Sequence, residues 1–400
     1  MMMEMDRNRQ LYRDMLIAHR RACHPDRMLT RRNFVSYAAL AAAGPARGAG
    51  HATAGPGATI SRQPQFYHGW PTLVRRTNGE LVVTYSGGRE AHVCPFGRVE
   101  IIRSTDNGQT WSWPEVLMDS PIDDRDSGVH ETAAGTLLVT TFTSLAYQSV
   151  LDGARGWPAE KLERWRAVNR RASETQRKAL LGTWMLRSTD GGMTWSAPFR
   201  VPLNSPHGPV SLAGGRLLYA GKQLWEPGTR VGVCESSDDG QSWRWLSDIP
   251  ARAGDSVEEY HELHAVDAGG GRVLAHIRNH NRENHGETLQ CESSDGGRTW
   301  SAPHPIGVRG FPSHLLRLRD GRLLMTYGYR HAPFGNQARL SSDRGRTWSE
   351  PIVISDDGAS GDLGYPSTVE LAGGSLLTVW YETLKGQQAA VLRQATWSLA

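Results

Sequence analysis

Ser104–Trp111 reads STDNGQTW, and the pattern S-x-D-x-G-x-[ST]-W returns at Ser188 (STDGGMTW), Ser236 (SSDDGQSW), Ser293 (SSDGGRTW) and Ser341 (SSDRGRTW). The starts are 84, 48, 57 and 48 residues apart. An eight-residue pattern does not recur five times by chance, so the chain is built from repeats. Within each box the Asp carboxylate suits capture of backbone N–H groups, the Gly suits a positive φ, and the Trp suits packing beneath the turn. The boxes are therefore expected to be structural turns and not the chemistry.

A second unit lies ahead of each box. Six copies can be read: PTLVRRTNGELVVTY (71–85), SGVHETAAGTLLVTT (127–141), GPVSLAGGRLLYA (208–220), LHAVDAGGGRVLAHI (263–277), SHLLRLRDGRLLMTY (313–327) and PSTVELAGGSLLTVW (366–380). Each reads as strand, tight turn, strand, with alternation and β-branched enrichment. The chain beyond the first sixty residues, divided by six, gives about 57 residues per unit, enough for a four-stranded blade. The expected fold is all-β, a six-bladed β-propeller.

Aligning the units on their turn glycines (Gly79, Gly135, Gly215, Gly271, Gly321, Gly374) exposes one informative column. The residue opening each innermost strand is Trp70, Asp126, His207, Glu262, Pro312 or Tyr365. A structural column repeats one residue type, whereas this one changes in every blade and holds acids, a base and a phenol. In a propeller these openings meet at one end of the central channel, which makes the column a candidate site.

Other segments depart from the repeat. Residues 152–182 include PAEKLERWRAVNRRASETQRKALL (158–181), rich in helix formers and free of strand alternation, and are expected to form a helical insertion in the region of the second blade. At the amino end, MLTRRNFVSYAALAAAG (28–44) pairs Arg31 with Arg32 ahead of a weakly apolar run, the layout of a twin-arginine export signal. Residues 1–60 are accordingly expected to be leader and linker, with Met28 as the start, and 61–400 the propeller, exported to the periplasm or the medium. Past the leader there are three cysteines, Cys94, Cys234 and Cys291. That odd count gives no complete disulfide framework, and Cys234 and Cys291 sit at equivalent buried strand positions.

Composition bounds the partners. With 45 Lys+Arg against 41 Asp+Glu the net charge is +4, and no basic excess is concentrated in the body, which argues against nucleic acid. No apolar run is long enough to span a membrane. There is no phosphate loop, dinucleotide fingerprint or Ser nucleophile elbow.

Five Asp boxes on six blades resemble the sialidase (neuraminidase) superfamily, over about residues 62–398. HELHAVDAGGGRVLAHIRN (261–279) is similar to the sialidase segment with a Glu before one strand and an Arg ending the next. The resemblance places Glu262 on the catalytic Glu and Arg278 on one of three carboxylate-binding arginines. GYPSTVELAGGSLLTVWYE (364–382) resembles the segment with the nucleophilic Tyr, here Tyr365, and Arg330 in YGYRHAPFGNQARLSSD (327–343) stands where a further triad arginine is expected. Two departures are plain. Sialidases open their first strand with Arg-Ile-Pro, whereas Gly69-Trp70-Pro71 stands here. The loop that carries the family's acid/base Asp reads SGGREAHVCPFGRVEIIR (86–103) and has no Asp. Arg89 or Arg98 is a candidate for the missing charge, and Glu90, His92, Asp124 or Asp126 for the missing proton donor.

The Tyr365–Glu262 pair also makes chemical sense without the family. A 2-keto sugar acid carries a carboxylate on its anomeric carbon, so a carboxylate nucleophile would meet like charge, whereas a phenol with an adjacent Glu base avoids it. Arg278 and Arg330 suit bidentate capture of the substrate carboxylate, and Asp126 or His92 suits protonation of the leaving oxygen. The expected function is removal of terminal sialic acid from glycans with retention, the partner being a glycan ending in an acidic sugar. The alternatives are a glycosidase or lyase on another acidic sugar, or a glycan-binding propeller without catalysis. His68, His92, His207 and His314 are expected to line the pocket. Their separation on different blades matches no short metal-ligand spacing, so neither metal nor cofactor is expected.

Overall fold

The computed structural model describes residues 57–399 apart from 154, 155 and 227; the export signal expected near Arg31 and Arg32 lies outside the described residues. Six four-stranded antiparallel sheets form the blades of a propeller. Their innermost strands are Tyr67–Arg75, Asp123–Glu131, Val210–Ser211, Tyr260–Gly269, Ser313–Arg317 and Leu363–Glu370. All six turn glycines adopt the positive φ that the alignment requires, from 76° to 91°.

The blades adhere because strand periodicity sends alternate residues to opposite neighbours. In the second blade Leu137 and Val139 pack on the first, while Leu138 between them packs on the third. Every blade–blade boundary holds one such apolar cluster, and the ring closes between the sixth and first blades through Tyr67, Trp70, Tyr365, Val379 and Tyr381. Closure also uses the segment just ahead of the first blade. Ala58–Thr59, inside the segment expected to be linker, pairs antiparallel with the last strand, Ala390–Trp397, as the outer strand of blade six.

The Asp boxes are turns on the outer part of the blades. In the first, Asp106 accepts from the Thr110 N–H (2.9 Å) and hydroxyl (2.6 Å), while Ser104 Oγ accepts from Gly108 N (2.9 Å). The box tryptophans reach to the preceding blade: Trp111 Nε1 donates to Gln394 (2.9 Å) and Trp348 Nε1 to Gln290 (3.0 Å).

Among the described residues the insertion holds three helices, the first beginning ahead of the expected 152–182: α1 (Gln148–Gly153), α2 (Ala159–Asn169) and α3 (Glu174–Ala179). Leu162 and Trp165 of α2 pack with Val150 of α1 against Cys94 and Ile122 at the top of the first two blades. The buried Cys94, Cys234 and Cys291 are free thiols. Among the described residues no helix is long and apolar enough to cross a membrane.

Candidate active site

Four of the six column positions share one backbone device. Between Gly69 and Thr72, Arg125 and Gly128, His261 and His264, and Gly364 and Ser367, the innermost strand carries one residue more than its partner, a β-bulge. Inside each bulge one side-chain-bearing residue takes a left-handed φ: Trp70 (55°), Asp126 (41°), Glu262 (40°) and Tyr365 (51°). Such conformations cost of order 1–3 kcal/mol each and persist where surrounding structure enforces them. The bulge turns one side chain out of the strand's alternation toward the channel mouth. Asp126, Glu262 and Tyr365 come from the second, fourth and sixth blades, so three alternate blades contribute to one centre.

At that centre the Tyr365 hydroxyl donates to Glu262 Oε1, and Arg278 Nη1 holds the other oxygen, Oε2, at 2.6 Å. Burial, then the charges of Glu262 and Asp126, raise the Tyr365 phenol well above its ordinary range. Arg330 lies 5.9 Å from the Tyr365 ring and, with Arg278 (4.3 Å), flanks the Phe311 ring at 5.2 Å. Its Nε is buried without a hydrogen-bond partner. Burial pushes the Asp126 carboxyl up to about 7, with Arg125 opposing and Glu262 adding to the rise. Asp126 Oδ1 has no hydrogen-bond partner.

Trp70 forms the adjoining wall, edge-on to Tyr365 (6.4 Å) and to His92 (5.0 Å). Two guanidinium groups lie over its ring, Arg125 at 4.3 Å and Arg89 at 4.8 Å. Arg89 is fully buried and committed to Asp123 (2.6 Å) and the His92 carbonyl (2.7 Å). Arg125 donates to the same carbonyl at 3.1 Å and keeps a buried Nε without a partner.

His92 Nδ1 lies 3.2 Å from Asp362 and 2.9 Å from the Tyr67 hydroxyl, and Tyr67 and Tyr381 each donate to Asp362 at 3.0 Å. Burial lowers the His92 pKa, so its imidazole is neutral near pH 7. Burial opposes charge on Asp362, but His92, Arg330 and the Tyr67 hydroxyl hold its carboxyl below the usual range.

Four of the remaining candidates lie elsewhere. Arg98 is paired with Glu100 at 2.6 Å, in a cleft of about 510 Å³ between the first-blade loop and α2. Asp124 turns onto Ser120 N and Oγ, both at 2.7 Å. Glu90 is held by Arg164 (2.9 Å) and Trp165 (2.8 Å) of α2. His68 is buried against Ser61 (3.0 Å) and Tyr85. His207 does reach the centre, its ring 6.4 Å from that of Tyr365; it meets His314 at 5.0 Å with His264 beside them, and burial lowers the pKa of each, so all three are neutral.

Sequence reasoning missed Arg125, Asp362, Tyr67 and Tyr381. Arg125 had a usable signal, since it sits between Asp124 and Asp126, one residue before the column. Among the described residues, one cluster has donors spaced for a metal ion: Glu259, His261 and His280.

A six-bladed ring with Asp-box turns and strand-opening side chains converging on the axis defines an Asp-box propeller of the sialidase/BNR superfamily. A profile of the BNR repeat-like domain matches residues 157–378, more than half of the chain, and the chain belongs to that family. A search of curated proteins finds no match. Among solved structures, a Dyadobacter fermentans protein of unknown function is similar at TM-score 0.70 and 23% identity, over 87% of this chain and 99% of that one. A Hadza microbial sialidase is similar at TM-score 0.58 and 18% identity, over 82% of this chain and 65% of its own, slightly under two thirds of its length. A leech intramolecular trans-sialidase solved with 2,7-anhydro-Neu5Ac gives 0.62 and 14%, over 86% and 70%. These likenesses establish a shared fold.

Proposed function

We propose that the chain is an exo-acting glycoside hydrolase of sialidase type, releasing a terminal 2-keto acidic sugar from a glycan with retention. The observation that carries this is the Tyr365–Glu262–Arg278 relay: a buried neutral phenol donates to a carboxylate whose other oxygen is fixed by a guanidinium. With its pKa raised, the phenol is a poor nucleophile alone and needs the base beside it. Tyr365 Oη attacks the anomeric carbon as Glu262 takes its proton, and the bond to the leaving oxygen breaks as Asp126 protonates that oxygen. Water, deprotonated by Asp126, then displaces the phenolate, and Glu262 returns the proton. Asp126 is preferred over His92 as the acid because its carboxyl stays protonated up to about pH 7, whereas burial keeps His92 neutral.

Arg278, Arg330 and Arg125 are the proposed carboxylate-binding cations. Arg125 takes the place of the first triad arginine, because the guanidinium over Trp70 brings charge to the strand that lost it. Arg89 is left out because it grips both oxygens of Asp123 at 2.6 and 3.0 Å, whereas Arg125 reaches that carboxylate only at 3.4 Å, and Arg98 is left out because it pairs with Glu100 in the cleft beside α2. Residues 61–400, with Ala58–Thr59 added, form the proposed catalytic unit, and its proposed location is the periplasm or the medium.

A specific observation favours a second reading, another acidic sugar: Trp70 fills the first triad position, so the carboxylate end of the pocket has a different shape. The test is a panel of 4-methylumbelliferyl glycosides of sialic acid, other 2-keto sugar acids and uronic acids. Turnover of the sialoside, reduced more than about a thousandfold in Tyr365→Phe, is the expected result. Turnover of another acidic sugar alone would select the second reading, and binding without turnover would select a glycan-binding propeller.

A further inference from the structure

Glu259 ends a short 3-10 turn, Val257–Glu259, that leads into the strand Tyr260–Gly269. Its carbonyl accepts from His280 N at 2.9 Å, and His261 stands opposite Arg278 in the same ladder. Residues two apart on a strand, and residues directly opposite on its neighbour, share a face. Glu259, His261, Arg278 and His280 therefore lie on one face at the mouth of the fourth blade. The two imidazole rings are 4.7 Å apart between centroids, and donor atoms of Glu259, His261 and His280 lie within 4.8 Å of one another. His261 Nε2 is buried and has no hydrogen-bond partner.

We propose that Glu259, His261 and His280 form a site for a divalent d-block cation of the zinc type at the rim of the candidate active site. Two imidazoles and one carboxylate are the donor set such ions select, whereas calcium and magnesium favour all-oxygen cages. Tetrahedral zinc at about 2.0–2.1 Å from each donor sets donors about 3.4 Å apart, so donors that lie within 4.8 Å of one another reach it through side-chain adjustment alone. The fourth position is left to water or to a substrate oxygen. Lys222, whose ammonium bonds the Glu258 carbonyl, and Arg278 bring positive charge nearby, so the cation binds reversibly and more weakly than a structural zinc.

Occupancy reaches the centre through one side chain. Arg278 Nε donates to His280 Nε2 at 2.8 Å, while its Nη1 holds Glu262 at 2.6 Å. A cation taking His280 through Nε2 releases one end of that guanidinium and alters its hold on Glu262.

The test uses untagged, chelator-treated full chain titrated with Zn²⁺ by calorimetry, and with Co²⁺ by visible absorption. One equivalent should bind, with the intense d–d absorption of a low-coordinate nitrogen and oxygen site. His261→Ala and His280→Ala should each weaken binding by about tenfold or more, and Glu259→Gln should weaken it with the fold intact by circular dichroism. Absence of saturable binding would overturn the proposal. So would Zn²⁺ binding unchanged in a folded His261→Ala/His280→Ala double variant.

Discussion

At the level of single residues, the proposed chemistry turns on protons. Asp126 has its carboxyl raised to about 7 by burial, against an unfolded value of about 3.9. Between those values the folded chain holds a proton that the unfolded chain has released, so stability falls as pH rises through the window and stays lower above it. Asp126→Asn should therefore raise the melting temperature more at pH 8 than at pH 5. The same substitution should cut turnover by about 10²–10⁴-fold, the usual contribution of a general acid. Wild-type activity should fall on the alkaline side of pH 7. A melting temperature unchanged at both pH values would deny Asp126 its raised pKa. Arg125→Ala should raise KM by about tenfold or more with a smaller effect on kcat, the loss of a charge-assisted contact to bound substrate. Much of this site was legible in the sequence, because Trp70, Asp126, Glu262 and Tyr365 stand in a column that changes from blade to blade inside an otherwise repeated unit. Asp362 was not legible: it acts through the Tyr67, His92 and Tyr381 side chains, which come from distant segments and carry no common spacing.

At the scale of elements, the bulges and the Asp boxes divide the labour. Four bulges aim side chains at the axis, and sequence offers no sign of them beyond the column itself, since a bulge is a register event between two strands. The boxes, by contrast, were readable outright, because a turn built on Asp, Gly and Ser/Thr is local. In the first box the Thr110 hydroxyl and N–H and the Ser104 hydroxyl lower the Asp106 carboxyl to about 2. That stabilisation is complete above the unfolded value of about 3.9 and is lost as pH falls toward 2. Thermal melts between about pH 5 and 2.5 should show a steeper loss for wild type than for Asp106→Asn, which has no carboxylate to protonate. The helical insertion was also legible, but its role was not. Helix α2 grips the loop that carries His92, through Arg164 and Trp165 on Glu90 and Lys161 on the Glu90 carbonyl. Trp165 is fully buried, and Trp165→Ala should cost about 3–5 kcal/mol in denaturant melts.

At the scale of the whole molecule, the ring closes on its own start. The segment before the first blade read as linker because two residues leave no periodicity, yet Ala58 and Thr59 pair with Gln394 and Arg393. Ile60 is buried beside them, and Ser61 Oγ accepts from Leu392 N at 2.7 Å. A chain beginning at Arg62 should melt at lower temperature than one beginning at Gly57, because the sixth blade loses its outer strand and exposes an unpaired edge. Equal melting temperatures would show that the inter-blade clusters hold the ring without that strand.

Whether Tyr365 is the nucleophile of a 2-keto acid glycosidase is decided by intact-mass and peptide mapping after incubation with a 2,3-difluoro sialic acid. One sugar equivalent should be attached to Tyr365 in wild type and none in Tyr365→Phe. A label on Glu262 or Asp126, or no label on folded wild-type protein that cleaves the matching sialoside, would contradict it.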